Sequence, residues 1–293
     1  TVIAGAGNDT VSIGAGTNFV FGDEGRREVL TDGGGVPTGT TEVKSLNGLV
    51  GGTDQITVGS GYNVVAGGAN VDTITVNGTT ANARGIVMGD NGKMTLSNSG
   101  ILLEIESTDF AGGAGDIINL TAGTNAIIGG AGDDQITATT GRNTVLGDDG
   151  HATFYSNGDL KFIESINRGN GGADTIALTD GTNVVVGGAN ADTITAGAGA
   201  NTVLGDEGEA SFFANGNLRL IQSTNLGVGG NDTITLQNGT NSVIAGAGND
   251  TVSMGLGTNF VLGDEGRREV LTDGSGNPTG NTVVSSLNGL VGG

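Results

Sequence analysis

The sequence predicts an all-β chain, wound as a right-handed parallel solenoid of about 18 residues per coil. A β-hairpin is expected after every second coil. Three observations predict this fold. Glycine supplies 60 of 293 residues and proline only two, a density that demands tight turns at short intervals. The 35% apolar content is mostly Val, Ile, Leu and Ala, with 3% aromatic residues and no Trp, which suits a thin core of stacked β-branched side chains. The chain also repeats itself at nested periods, the mark of a quasi-one-dimensional architecture.

The longest period is 241 residues: residues 1–52 return almost unchanged at 242–293. The chain therefore reads as one continuous solenoid over 1–293, an interior stretch of a longer tandem array with modules near 8–70, 71–132, 133–190, 191–248 and 249–293. Within the long period, a GDEG-like tetrad opens at Gly22, Gly89, Gly147, Gly205 and Gly263, at steps of 67, 58, 58 and 58 residues. Each module is an 18-residue coil, a second such coil ending in the tetrad, and a tail.

Eighteen residues divide into two nines. The first carries Asp, a spacer and an aliphatic residue, as in Asp134-Gln135-Ile136, Asp174-Thr175-Ile176 and Asp192-Thr193-Ile194. The second carries Asn in that place, as in Asn143-Thr144-Val145, Asn183-Val184-Val185 and Asn201-Thr202-Val203. Each nine is a turn followed by a short strand whose aliphatic points inward. Two strands per coil make two parallel sheets. Helix is excluded, because no 3.6-residue apolar period persists and glycine interrupts every window.

The stretch 129–137, GGAGDDQIT, fits the GGxGxDxUx nonapeptide, and 4–12, 187–195 and 245–253 are near variants. On these residues the chain resembles the RTX family of calcium-binding β-rolls. The resemblance spans the chain, but only one half of each coil follows the motif strictly. It implies that turns on neighbouring coils hold Ca²⁺ between them, through Asp side chains and glycine-rich backbone carbonyls. By motif position, the implied ligands are Asp9, Asp72, Asp134, Asp192 and Asp250 in uninterrupted turns, and Asp54, Asp116, Asp174 and Asp232 after the tails. The tetrad aspartates Asp23, Asp90, Asp148, Asp206 and Asp264 fall in the same row and could complete sites. The alternative is that these side chains only cap their own turns. Against that stands the repulsion within a row of uncompensated carboxylates ~5 Å apart. The opposite row departs from the family, with Asn18, Asn63, Asn125, Asn143, Asn183, Asn201, Asn241 and Asn259 where Asp is usual. A metal-free amide ladder is expected there, interrupted where Gly85 takes the Asn position.

The tails read as hairpins. Residues 151–165 and 209–223 each set Asn-Gly between two alternating runs, 93–107 is a looser version, and 27–46 and 268–287 have longer tips. The outward positions of the Asn strands are apolar, among them Phe19, Phe21, Val184, Val186 and Leu204, so that face needs a cover. Two coils and two hairpin strands both advance about 9.6 Å, so the hairpins could tile a third sheet rather than project singly. The faces expected to cover are Ala152, Phe154, Leu160 and Phe162, then Ala210, Phe212, Leu218 and Leu220. The Asp strands present Thr instead, as at Thr73 and Thr75 or Thr193 and Thr195. Such rows also occur on ice-binding solenoids, but Ile117 and Asn119 break this one.

Function follows from the same features. A net charge of −20 argues against nucleic acid and anionic membrane and in favour of cations. No continuous apolar run reaches the ~18 residues of a membrane span. With no Cys there is neither a disulfide framework nor a thiolate site. The single His151 has no recurring partner and no nucleophile–base set is visible, so an enzyme is not expected. The expectation is a secreted bacterial structural segment that Ca²⁺ folds and rigidifies, in an adhesin stalk, matrix or surface-layer filament. Its partners would be neighbouring copies of the same repeat. The alternatives are the RTX region of a secreted toxin or hydrolase and, further off, an ice-binding solenoid.

Overall fold

A computed structural model describes residues 1–80, 82–121 and 123–287. The end of the copied segment and of the last module, 288–293, lies outside the described residues. All regular structure is β, in three sheets.

Two of the sheets form the solenoid. The Asp strands, from Thr10–Ile13 to Thr251–Met254, build a nine-stranded parallel sheet, and the Asn strands, from Gly16–Phe21 to Gly257–Leu262, lie in a ten-stranded one. Every neighbouring pair is in unbroken register, so like residues stack: Ile136 on Ile176, Val145 on Val185, Asn143 on Asn183. Register is this strict because a one-residue slip would turn each strand's aliphatic outward. Between the sheets, Ile56, Ile74, Ile118, Ile136, Ile176, Ile194 and Ile234 meet Val65, Val87, Ile127, Val145, Val185, Val203 and Val243 in one dry core.

The third sheet is made of the tails. Five hairpins, from Gly25–Thr31 with Pro37–Ser45 to Gly266–Thr272 with Pro278–Ser286, pair edge to edge into a ten-stranded antiparallel layer. It covers the outer apolar face of the Asn sheet. Phe19, Phe21, Val64, Ile86, Met88, Ile128, Val186 and Leu204 form a second core with Met94, Leu96, Ile105, Ile163 and Ile221.

One sequence expectation is corrected here. The covering residues on the returning hairpin strands are Ile163 and Ile221, both 0% exposed, and not Phe162 and Leu220, which are only half-buried. A β-bulge between Thr153 and Phe154 sets Phe154 opposite Leu160 while Thr153 faces Phe162, and the next hairpin repeats it at Ser211 and Phe212. The extra residue changes the in–out parity beyond it. Ile163→Ala should therefore destabilise the calcium-loaded chain by about 2–5 kcal/mol. Phe162→Ala should stay within about 1 kcal/mol. Denaturant midpoints of the two variants check the assignment, and equal shifts would refute it.

Candidate metal-binding turns

The turns before the Asp strands stack into a single row. In each, the backbone N–H donates to the Oδ1 of the Asp one coil further on: Asp9 to Asp54 at 2.7 Å, Asp72 to Asp116 at 2.6 Å, Asp134 to Asp174 and Asp192 to Asp232 at 2.8 Å, Asp232 to Asp250 at 2.9 Å. Asp54, Asp116 and Asp174 donate in the same way to Asp72, Asp134 and Asp192. The row reads as an aspartate ladder, each carboxylate capping its neighbour's turn rather than its own.

That accounts for one oxygen of each side chain. The other, Oδ2, is buried without a partner in Asp9, Asp54, Asp72, Asp116, Asp134, Asp174, Asp192, Asp232 and Asp250. Beside each of these oxygens from Asp54 to Asp232 lies a glycine with room for nothing larger. A Cβ on Gly22, Gly67, Gly89, Gly129, Gly147, Gly187 or Gly205 would collide with an Asp Oδ2 and with a backbone carbonyl of the next coil. Those carbonyls, including Gly67, Gly129 and Gly187, each accept one backbone N–H and keep a second lone pair. A free carboxylate oxygen and a half-used carbonyl thus converge at every step.

This donor set fits Ca²⁺, a hard cation that accepts carboxylate and carbonyl oxygens in flexible geometry. Among the described residues no three His, Cys, Asp or Glu side chains gather at one point, so each coil would add one carboxylate oxygen and backbone would supply the rest. A bound divalent cation would supply positive charge that compensates the buried carboxylates. Without it, burial is the first cause that pushes Asp72 up to about 8, Asp116 to about 10 and Asp232 to about 7. Neighbouring carboxylates push Asp72 and Asp116 further the same way.

A pH dependence follows. A carboxyl whose pKa is raised on folding binds more protons folded than unfolded, so stability falls as pH rises from the unfolded value toward the folded one. In calcium-free buffer the β signal should strengthen as pH is lowered from about 8 toward about 4. Circular dichroism at fixed temperature measures it; a signal that weakened over that range would refute the buried row.

The tetrad aspartates lie beside this row, where, beyond burial, Asp90 and Asp148 raise the pKa of Asp116 and Asp192, but their hydrogen bonds differ. Asp148 accepts from Gly172 N–H at 2.8 Å and Ala189 N–H at 2.5 Å, and Asp206 accepts from Gly230 and Ala247 at 2.8 and 2.5 Å. Asp23 and Asp90 make the corresponding pairs with Gly52 and Ala69 and with Ala114 and Ala131. Both oxygens of each are engaged, so these four lock the chain's return from a hairpin to the turn that follows. Asp264 lies near Asp250 and raises its pKa.

Three features escape a motif-based reading. Ser45, Ser107, Ser165 and Ser223 close their hairpins, and each Oγ accepts the N–H of Gly92, Gly150, Gly208 or Gly266 at 3.1–3.3 Å. Glu207 and Glu265, third in their tetrads, accept the N–H of Gly169 and Gly227 in the preceding return loops. His151, which has no recurring partner in the sequence, bridges Glu104 and Glu164 at 3.3 Å on the outer face of the hairpin layer. The recurrence of Ser and of an acid at the module spacing was the available signal.

On the opposite side the amides form a ladder. Asn125, Asn143, Asn183, Asn201 and Asn241 each donate from Nδ2 to the next Oδ1, ending on Asn259, at 2.8–2.9 Å. Asn18 bonds Asn63 in the same way. Gly85 stands between Asn63 and Asn125 in register, and the Oδ1 of Asn125 is left buried without a partner.

A family model of the RTX calcium-binding nonapeptide repeat matches residues 1–27, 50–78, 110–145, 119–154, 178–209 and 226–267, more than half of the chain. No curated protein and no solved structure shows detectable similarity.

Proposed function

The chain belongs to the RTX calcium-binding nonapeptide-repeat family, and from that premise we propose that it is a structural segment of an extracellular fibre or surface protein, rigidified by calcium along its Asp row. RTX repeats bind calcium and occur in secreted proteins. The observation that carries the fibre reading is the uninterrupted stacking of coil on coil in two sheets and of hairpin on hairpin in the third. A rod so built gains length by addition, since each coil contacts only its neighbours.

Export supplies the switch. A chain with net charge −20 stays open where calcium is scarce. Outside the cell, ions that bind only the folded coils pull it into the solenoid by mass action. Eight coils per 241-residue period would advance the rod by roughly 40 Å. Its partners are copies of the same unit, which cover the strand edges at either end.

The test is small-angle scattering of one, two and three tandem 241-residue units in millimolar calcium. The longest dimension should grow by a constant increment near 40 Å per unit. Units that fold but tumble independently, with no fixed increment, would overturn the fibre reading and leave calcium binding intact.

A further inference from the structure

The outer face of the hairpin layer is mostly charged, with cross-strand pairs such as Arg26–Glu42 and Lys93–Glu106, and Arg267–Glu269 along one strand. Two adjacent hairpins depart from this. Gly150–Phe154 with Leu160–Ser165 carries Tyr155, Lys161, Thr153 and Phe162 outward. Gly208–Phe212 with Leu218–Ser223 repeats them 58 residues on as Phe213, Arg219, Ser211 and Leu220. The same positions in the hairpin before are Ser97, Leu103, Thr95 and Glu104, so the set is confined to these two.

Three of the chain's ten aromatic residues thus meet on one face. They line one groove with Lys161, Arg219 and Ser211. The parts are held in place: the Tyr155 hydroxyl donates to the Phe212 carbonyl of the next hairpin at 2.9 Å, and the Lys161 ammonium lies 6.0 Å above the Tyr155 ring. In register, Phe162 faces Ser211, which faces Leu220. Ser211 is 9% exposed and its hydroxyl has no partner. A buried hydroxyl without a partner, beside three rings and rimmed by Lys161 and by Arg219, which also pairs with Glu269 at 3.9 Å, has the character of a ligand subsite.

We propose that these two hairpins bind an extended polysaccharide bearing one carboxylate per disaccharide. Aromatic rings stack on the apolar faces of sugars, and hydroxyl and cationic groups meet their polar edges. Equivalent atoms of the two hairpins are two strands apart, about 9.6 Å, close to two pyranose units in an extended chain. One cation per hairpin therefore matches one acidic sugar in every two. Physiological salt screens the chain's net negative charge over a Debye length of about 8 Å.

The test uses the full chain, folded in calcium, and isothermal titration with a hyaluronan octasaccharide. Uncharged cello-oligosaccharide and single-stranded DNA of similar length serve as comparisons. Hyaluronan is expected to bind more tightly than either, and K161A/R219A should weaken it by at least about tenfold with the circular dichroism spectrum unchanged. Y155A/F213A should do the same, while Tyr155→Phe, which keeps the ring, should retain binding. Absence of hyaluronan binding, equal binding of DNA, or undiminished binding by both double variants would each overturn the assignment.

Discussion

With calcium chelated at neutral pH, the chain is expected to lose its β signal, and to regain it on titration with calcium but not magnesium. The size of the effect comes from the number of sites. Nine aspartates each carry a buried oxygen with no partner, and an unpaired buried charge costs several kcal/mol. A site held at a hundred times its dissociation constant adds about 2.7 kcal/mol. A few such sites equal the whole stability of an ordinary domain, about 5–15 kcal/mol. Magnesium should fail because it demands near-ideal octahedral geometry and dehydrates reluctantly, whereas these turns offer widely shared backbone carbonyls. Circular dichroism during the titration is the measurement. A chain equally folded in chelator and in calcium would mean that the aspartate ladder suffices as a set of turn caps, and the calcium mechanism would fall.

Gly147→Ala is expected to be strongly damaging, at about 3 kcal/mol or more. Gly147 does not adopt a left-handed conformation, so the backbone would tolerate alanine. The obstacle is space. The new methyl would overlap the Asp174 Oδ2 and the Gly187 carbonyl. That carbonyl cannot swing aside without giving up the Asp148 N–H that it accepts at 3.3 Å. Gly14, by contrast, has nothing within 4 Å of an added Cβ, and Gly14→Ala should stay within about 1 kcal/mol. Denaturant midpoints in saturating calcium compare the two. Similar shifts would show that the close approach of carboxylate and carbonyl is not a feature of the folded chain.

Much of this arrangement was legible because each coil is nearly a copy of the last. Repetition puts Asp134, Asp174 and Asp192 at one height on successive coils without any knowledge of packing, and the interruption at Gly85 could be located to the residue. What repetition could not reveal was the separate fate of the two oxygens on one carboxylate. By sequence, Asp148 and Asp174 fall in the same row of turns. Yet both oxygens of Asp148 are taken by N–H groups 24 and 41 residues away, whereas Asp174 keeps one free. Donors that distant become visible only once the hairpin between them is placed.

The sequence by itself determined the solenoid, its register and the row in which the aspartates stack, because these follow from a short period in which every strand must turn the same face inward. Only the tertiary structure decided which face of each hairpin covers the Asn sheet. A single bulge residue reverses the alternation there, burying Ile163 and Ile221 and turning Phe162 and Leu220 outward. An alternating pattern of apolar residues fits either face equally well. The choice between them lies in one irregular hydrogen-bond step.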